Sequence, residues 1–151
     1  MKTLACIALT ATLVTLAAPA SAQFAKPEDA IKYRQSAMFV MGQNFSRIGA
    51  MATGKAPYDA KVAETSAAVV ADMSKLPWPG FMPGTEKGGN TKAKPEVWSE
   101  QAKFKENNEK LMAETEKLAV AAKTDNLDTL KTAFTATADS CKSCHDHFRN
   151  K

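Results

Sequence analysis

Cys141, Cys144 and His145 are the residues of this chain whose types and spacing could do chemistry together, in the run Cys141-Lys142-Ser143-Cys144-His145. Two thiols three positions apart on a helix lie on one face, and an imidazole four after the first lies on the same face. Such a pair of thiols can reach the two vinyl groups at one edge of a haem and form thioethers. The imidazole then stands under the iron as an axial ligand. C-x-x-C-H is the attachment signature of a c-type haem, and one covalent haem c per chain is the expectation, with His145 as the metal ligand.

The competing uses of this pentapeptide are a redox dithiol, a zinc half-site and a disulfide. A thioredoxin-like C-x-x-C opens a helix just after a strand, whereas residues 125–140 are themselves helix-patterned. A structural zinc site takes four ligands, usually as two pairs. Beyond the motif, the chain after its leader offers only His147. His147 is about 200° around the helix from His145, so it cannot serve the opposite face of the same iron and is expected to face solvent.

Compartment agrees with attachment. Met1-Lys2 gives a positive start, residues 4–18 an apolar stretch, and Ala20-Ser21-Ala22 a small-residue cleavage site. The stretch is too short for a spanning helix, which needs about 20 residues. We therefore expect a signal peptide over 1–22, an exported periplasmic protein and one domain over 23–151, with Cys6 lost and both remaining cysteines in the motif. The whole chain has 20 Lys and Arg against 16 Asp and Glu, net +4. Interspersed charges without a basic run point to neither nucleic acid nor a membrane surface.

The elements that must position the motif read as four amphipathic helices, over about 27–53, 57–76, 96–123 and 126–148. The first seam is Ile31, Arg34, Met38, Met41, Phe45, Ile48 and Ala52; the second is Tyr58, Val62, Thr65, Val69, Asp72 or Met73, and Leu76. The third and most polar includes Val97, Gln101, Phe104, Asn108, Leu111, Thr115, Leu118 and Ala122, with Trp98 beside it. The fourth carries Leu127, Leu130, Phe134, Thr137, Cys141, Cys144 and Phe148, which puts both cysteines on the core face. Mostly short links make this an all-α, up-down-up-down antiparallel four-helix bundle with haem attached inside it. The one long loop, 77–90, carries Trp78, Phe81 and Met82 among its prolines and glycines, so it reads as a lid on the core and as a wall of the haem pocket.

Arg34 breaks the first seam. A guanidinium facing a core needs an anionic partner or a route to solvent, and a haem propionate is the anion this bundle would supply.

The segments Gln23-Phe24-Ala25-Lys26-Pro27-Glu28-Asp29-Ala30 and Tyr33-Arg34-Gln35-Ser36-Ala37, together with Leu76-Pro77-Trp78, Pro83-Gly84-Thr85-Glu86 and the motif in the fourth helix, resemble the cytochromes c′ over essentially the whole chain after the leader. The resemblance implies a periplasmic homodimer paired through its first two helices, not an enzyme. It also implies a five-coordinate, high-spin iron whose apolar distal face admits nitric oxide and carbon monoxide, and a capacity for one-electron exchange with a periplasmic redox partner. By position, Cys141 and Cys144 are the thioether residues, His145 the proximal ligand, Arg34 and Gln35 the propionate-end contacts, and Arg149 the basic residue near the histidine. Met38 takes the place that caps the iron, with Met41, Trp78 and Phe81 as further walls. Low-spin relatives ligate iron with a first-helix methionine, so a six-coordinate electron carrier with Met38 as sixth ligand stays open. A haem enzyme needs a distal acid or base, and the first helix carries no histidine. Off the inward seam, Phe24, Phe39 and Val40 are expected at the dimer contact.

Overall fold

The computed structural model describes residues 23–151, so the expected signal peptide lies outside the described residues. Five helices follow: α1 (Pro27–Ala52), α2 (Ala60–Met73), a short α3 (Glu96–Ser99), α4 (Gln101–Ala122) and α5 (Leu127–Phe148). A single 3-10 turn, Trp78–Phe81, interrupts the long loop. None of these helices is long and apolar enough to cross a membrane.

Local chemistry sets the ends. Pro27 sits in the first turn of α1 with Glu28 and Asp29 behind it, where a fixed φ and negative charge both suit a helix start. Asp59 accepts the Val62 N–H at 3.0 Å and Asn126 the Thr129 N–H at 2.9 Å, capping α2 and α5. Gly54, at φ 73°, turns the chain out of α1.

The four long helices pack in a ring, α1 beside α2 and α5, and α4 beside α2 and α5. The antiparallel four-helix bundle is therefore present, with two differences from the sequence reading. The third helix is broken at Glu100, whose φ of −115° and ψ of 49° leave the helical region. The seam of α2 is also rotated by one position: Ala63, Ser66, Ala67, Val70 and Ala71 are buried, while Val62 is 43% exposed and Leu76 is also exposed. Burial on α2 favours small side chains, which let neighbouring helices approach closely, whereas the sequence reading turned the larger residues inward.

Phe45 and Phe134 stack at 4.5 Å over a core that includes Ile48, Leu118 and Leu130. Buried hydroxyls cross the middle of the bundle, with Thr115 donating to Ser74 at 3.0 Å and Thr137 to the Glu114 carbonyl at 3.2 Å.

Candidate functional site

Above that hydroxyl layer α4 and α5 still touch, Phe104 meeting Phe148 edge to face at 5.1 Å, and the four helices and the long loop surround an open space. They enclose a cavity of about 630 Å³, a size suited to a cofactor. All ten residues singled out in the sequence line it. Cys141, Cys144, His145 and Arg149 come from the end of α5, and Arg34, Gln35, Met38 and Met41 from α1 opposite. Trp78 and Phe81 come from the loop.

Both cysteines are free and half-buried. Burial pushes the Cys141 thiol up, and burial together with its neighbour Cys141 pushes Cys144 up to about 11. Both are therefore protonated at neutral pH. A protonated thiol carries the two atoms that add across a vinyl double bond, sulfur to one carbon and hydrogen to the other. At His145 the ionisation moves the other way: partial burial and then the Arg149 charge lower it, against Asp146. The imidazole is held in its neutral form, the one that ligates metals.

Arg34 is 3% exposed and its charge is met by neutral oxygens of the loop. Nη1 donates to the Gly80 carbonyl at 2.7 Å and to Thr85 Oγ1 at 2.8 Å; Nη2 donates to the Thr85 carbonyl at 3.0 Å and to Thr91 Oγ1 at 2.7 Å. Its guanidinium carbon lies 4.4 Å from the centre of the Phe81 ring. Burial lowers its pKa to about 10, with Glu86 acting in the opposite sense. Thus Arg34 neither snorkels to solvent nor depends on an external anion to be satisfied. It clamps the loop to α1. Gly80 is required for that approach, because a Cβ there would stand 2.7 Å from the Ala30 carbonyl oxygen and 2.8 Å from Arg34 Cβ.

The loop is a packed wall. The Trp78 indole donates to the Ser74 carbonyl at 2.7 Å, and Trp98 donates to the carbonyls of Phe81 and Met82 at 3.1 and 3.2 Å. Phe81 and Phe104 meet edge to face at 5.0 Å. Met41 is buried, Met38 half-buried, and Gln35 donates to the Asn90 carbonyl at 3.2 Å at the exposed rim. His147, expected in solvent, is only half-exposed, because its Nε2 lies 2.8 Å from Glu100 Oε2.

Thr85 and Thr91 as partners of Arg34, and Lys92 and Ala93 on the rim, are not marked in the sequence. Hydroxyl and backbone acceptors have no periodic signature. The only signal for them was the buried charge that required partners. The cavity fits haem c in its donor set, two thiols and an imidazole on one wall, and in its apolar walls of Met41, Phe81 and Phe104 with a polar rim of Gln35, Lys92 and Arg149.

The family model of Cytochrome C' matches residues 29–149. Cytochrome c' of Rubrivivax gelatinosus is 50% identical over 129 residues, covering 85% of this chain and all of the relative, and its crystal structure superposes with a TM-score of 0.82. Cytochrome c prime from Shewanella frigidimarina, 41% identical, covers 85% of this chain and 99% of its own, also with a TM-score of 0.82. The nitric oxide complex of a variant of cytochrome c prime from Alcaligenes xylosoxidans, 45% identical, covers 85% of this chain and 99% of its own with a TM-score of 0.79. A family match over most of the chain, full-length relatives and the shared bundle lead to one conclusion: this chain belongs to the cytochrome c′ family.

Proposed function

We propose that the chain is an exported haem protein, its leader removed after Ala22, that takes nitric oxide and carbon monoxide at an apolar distal face and exchanges single electrons. The cofactor, covalent haem c, comes with the family. In this reading Cys141 and Cys144 form the thioethers and His145 is the proximal ligand. Met38 is a steric cap that does not ligate, so the iron is five-coordinate and high-spin. Bound there, the haem supplies a redox-active iron with one open position for a diatomic ligand.

The observation that carries this reading is that the attachment residues of α5 and the methionines of α1 line one cavity. The nitric oxide complex of the Alcaligenes relative supports the choice of ligand. Met41, Trp78, Phe81 and Phe104 keep the cavity apolar, Arg34 holds the loop that walls it, and Gln35 and Arg149 stand at its rim near a propionate edge. A homodimer formed on α1 and α2 accounts for Phe39, 66% exposed, and Val40, 41% exposed; Val62 of α2 adds to that surface. Phe24, half-buried 5.1 Å from Tyr33, has an intramolecular partner and contributes less. Electrons pass to and from a periplasmic redox partner.

Carbon monoxide titration of the ferrous protein tests the distal assignment. A ligand that must push Met38 aside meets a packing cost of about 1–3 kcal/mol, so Met38→Ala should bind roughly ten- to a hundredfold more tightly. Unchanged affinity would remove Met38 from control of the site. The second reading, a six-coordinate low-spin electron carrier, draws on one observation. Met38 presents a thioether to the cavity that His145 lines, and a methionine sulfur can ligate haem iron.

A further inference from the structure

His145 lies in the last turn of α5, where carbonyls lose their intrahelical partners and helices fray. A passing segment, residues 91–94, holds this end from outside. The Lys94 N–H donates to the Phe148 carbonyl at 2.9 Å and the Asn150 N–H to the Lys92 carbonyl at 2.8 Å, flanking an antiparallel bridge between Ala93 and Arg149. Lys94 Nζ then donates to two carbonyls of the last turn, those of Asp146 and His147, each at 3.1 Å. One ammonium thus closes the carbonyl end of α5 and sets a positive charge at the negative pole of its dipole. The same segment is anchored across the cavity, because Thr91 Oγ1 accepts Arg34 Nη2 at 2.7 Å and the Ala93 N–H at 3.3 Å. Residues 91–94 therefore join α1, which carries Met38, to the end of α5, which carries His145.

We propose that Lys94 is a positioning residue for the proximal ligand: it holds the last turn of α5, and with it the His145 imidazole, in a fixed orientation toward the cavity. The Arg34–Thr91 contact braces that hold from α1. This inference rests on His145 being the proximal ligand, and its test separates the two claims.

The experiment compares the haem-loaded wild type with Lys94→Met, Lys94→Arg and Thr91→Val. Amide hydrogen exchange reads the helix end, and resonance Raman of the ferrous protein reads the iron–histidine stretch. Lys94→Met removes two charge-assisted bonds and should speed exchange at the Arg149 and Asn150 amides about tenfold while shifting the stretch. Lys94→Arg, which keeps a cationic donor, should restore both, and Thr91→Val should produce a smaller change in the same direction. Wild-type exchange in Lys94→Met overturns the proposal, as does faster exchange with an unmoved stretch. Wild-type exchange in Thr91→Val overturns the brace. Intact mass on the same samples reports attached haem: its absence defeats the haem reading, whereas the exchange comparison still decides whether Lys94 holds the helix.

Discussion

The two ends of the bundle are built from the same four helices and finished differently. At one end Ile48, Met51, Ala63, Ala67, Leu118, Ala122 and Leu130 close on one another. Phe134 lies so near Gly49 that a Cβ there would stand 3.0 Å from its ring. At the other end the helices part around a cavity of about 630 Å³, and order comes from polar ties: Arg34 to the loop, Trp98 to the loop carbonyls, Lys94 to the end of α5. Close packing makes one end self-sufficient. The other is completed only by a group that the polypeptide does not contain, so the two ends should respond to different perturbations.

The largest effect should come from removing the haem. Amide protection in residues 78–94 and 137–150 should fall by about a hundredfold or more, while Ile48, Leu118 and Leu130 keep most of theirs. Equal loss at both ends would show that the division is false. Leu118→Ala strikes the closed end and should cost about 2–5 kcal/mol in denaturant unfolding, well above the cost of Met38→Ala beside the cavity. Arg34→Leu strikes the open end. It strips Gly80, Thr85 and Thr91 of their donors, and should cost about 1–3 kcal/mol and lower the haem reduction potential, since a nearby positive charge favours the reduced iron. A variant with wild-type stability and potential would contradict the clamp.

Two smaller effects sharpen the picture. Val40→Glu should shift the mass measured by light scattering from dimer toward monomer across a micromolar dilution series; monomers in both proteins would reassign the exposed residues of α1. The Glu100–His147 pair is half-exposed at the surface and worth least. The His147 hydrogen bond is the main cause that holds the Glu100 carboxyl below its ordinary range. A depressed carboxylate stabilises the fold above its unfolded pKa, and that contribution is lost as pH falls through the folded value. The difference in Tm between wild type and Glu100→Gln should therefore be greatest near neutral pH and vanish in strong acid.

Much of this was legible in the sequence, and the exceptions have causes. The seams of α1 and α5 announce themselves through large residues at helical spacing, and the attachment motif through its spacing alone. The buried face of α2 did not, because Ala63, Ser66, Ala67 and Ala71 carry little hydrophobic signal while Val62 carries more and lies outside. The break at Glu100 has no glycine or proline at it to mark it. Arg34 was recognisable as a buried charge, but its partners were invisible, because three of the four bonds go to the carbonyls or hydroxyls of Gly80 and Thr85, residues that read only as turn.

In the proposed site His145 approaches the iron from α5 while Met38 of α1 faces it without ligating. The electronic absorption spectrum of the ferric protein at neutral pH tests this most directly. The expected result is a high-spin spectrum with a charge-transfer band in the red, its spin state unchanged in Met38→Ala. A low-spin spectrum carrying a methionine-to-iron band, abolished in Met38→Ala, would contradict it and move the protein to the six-coordinate electron carriers.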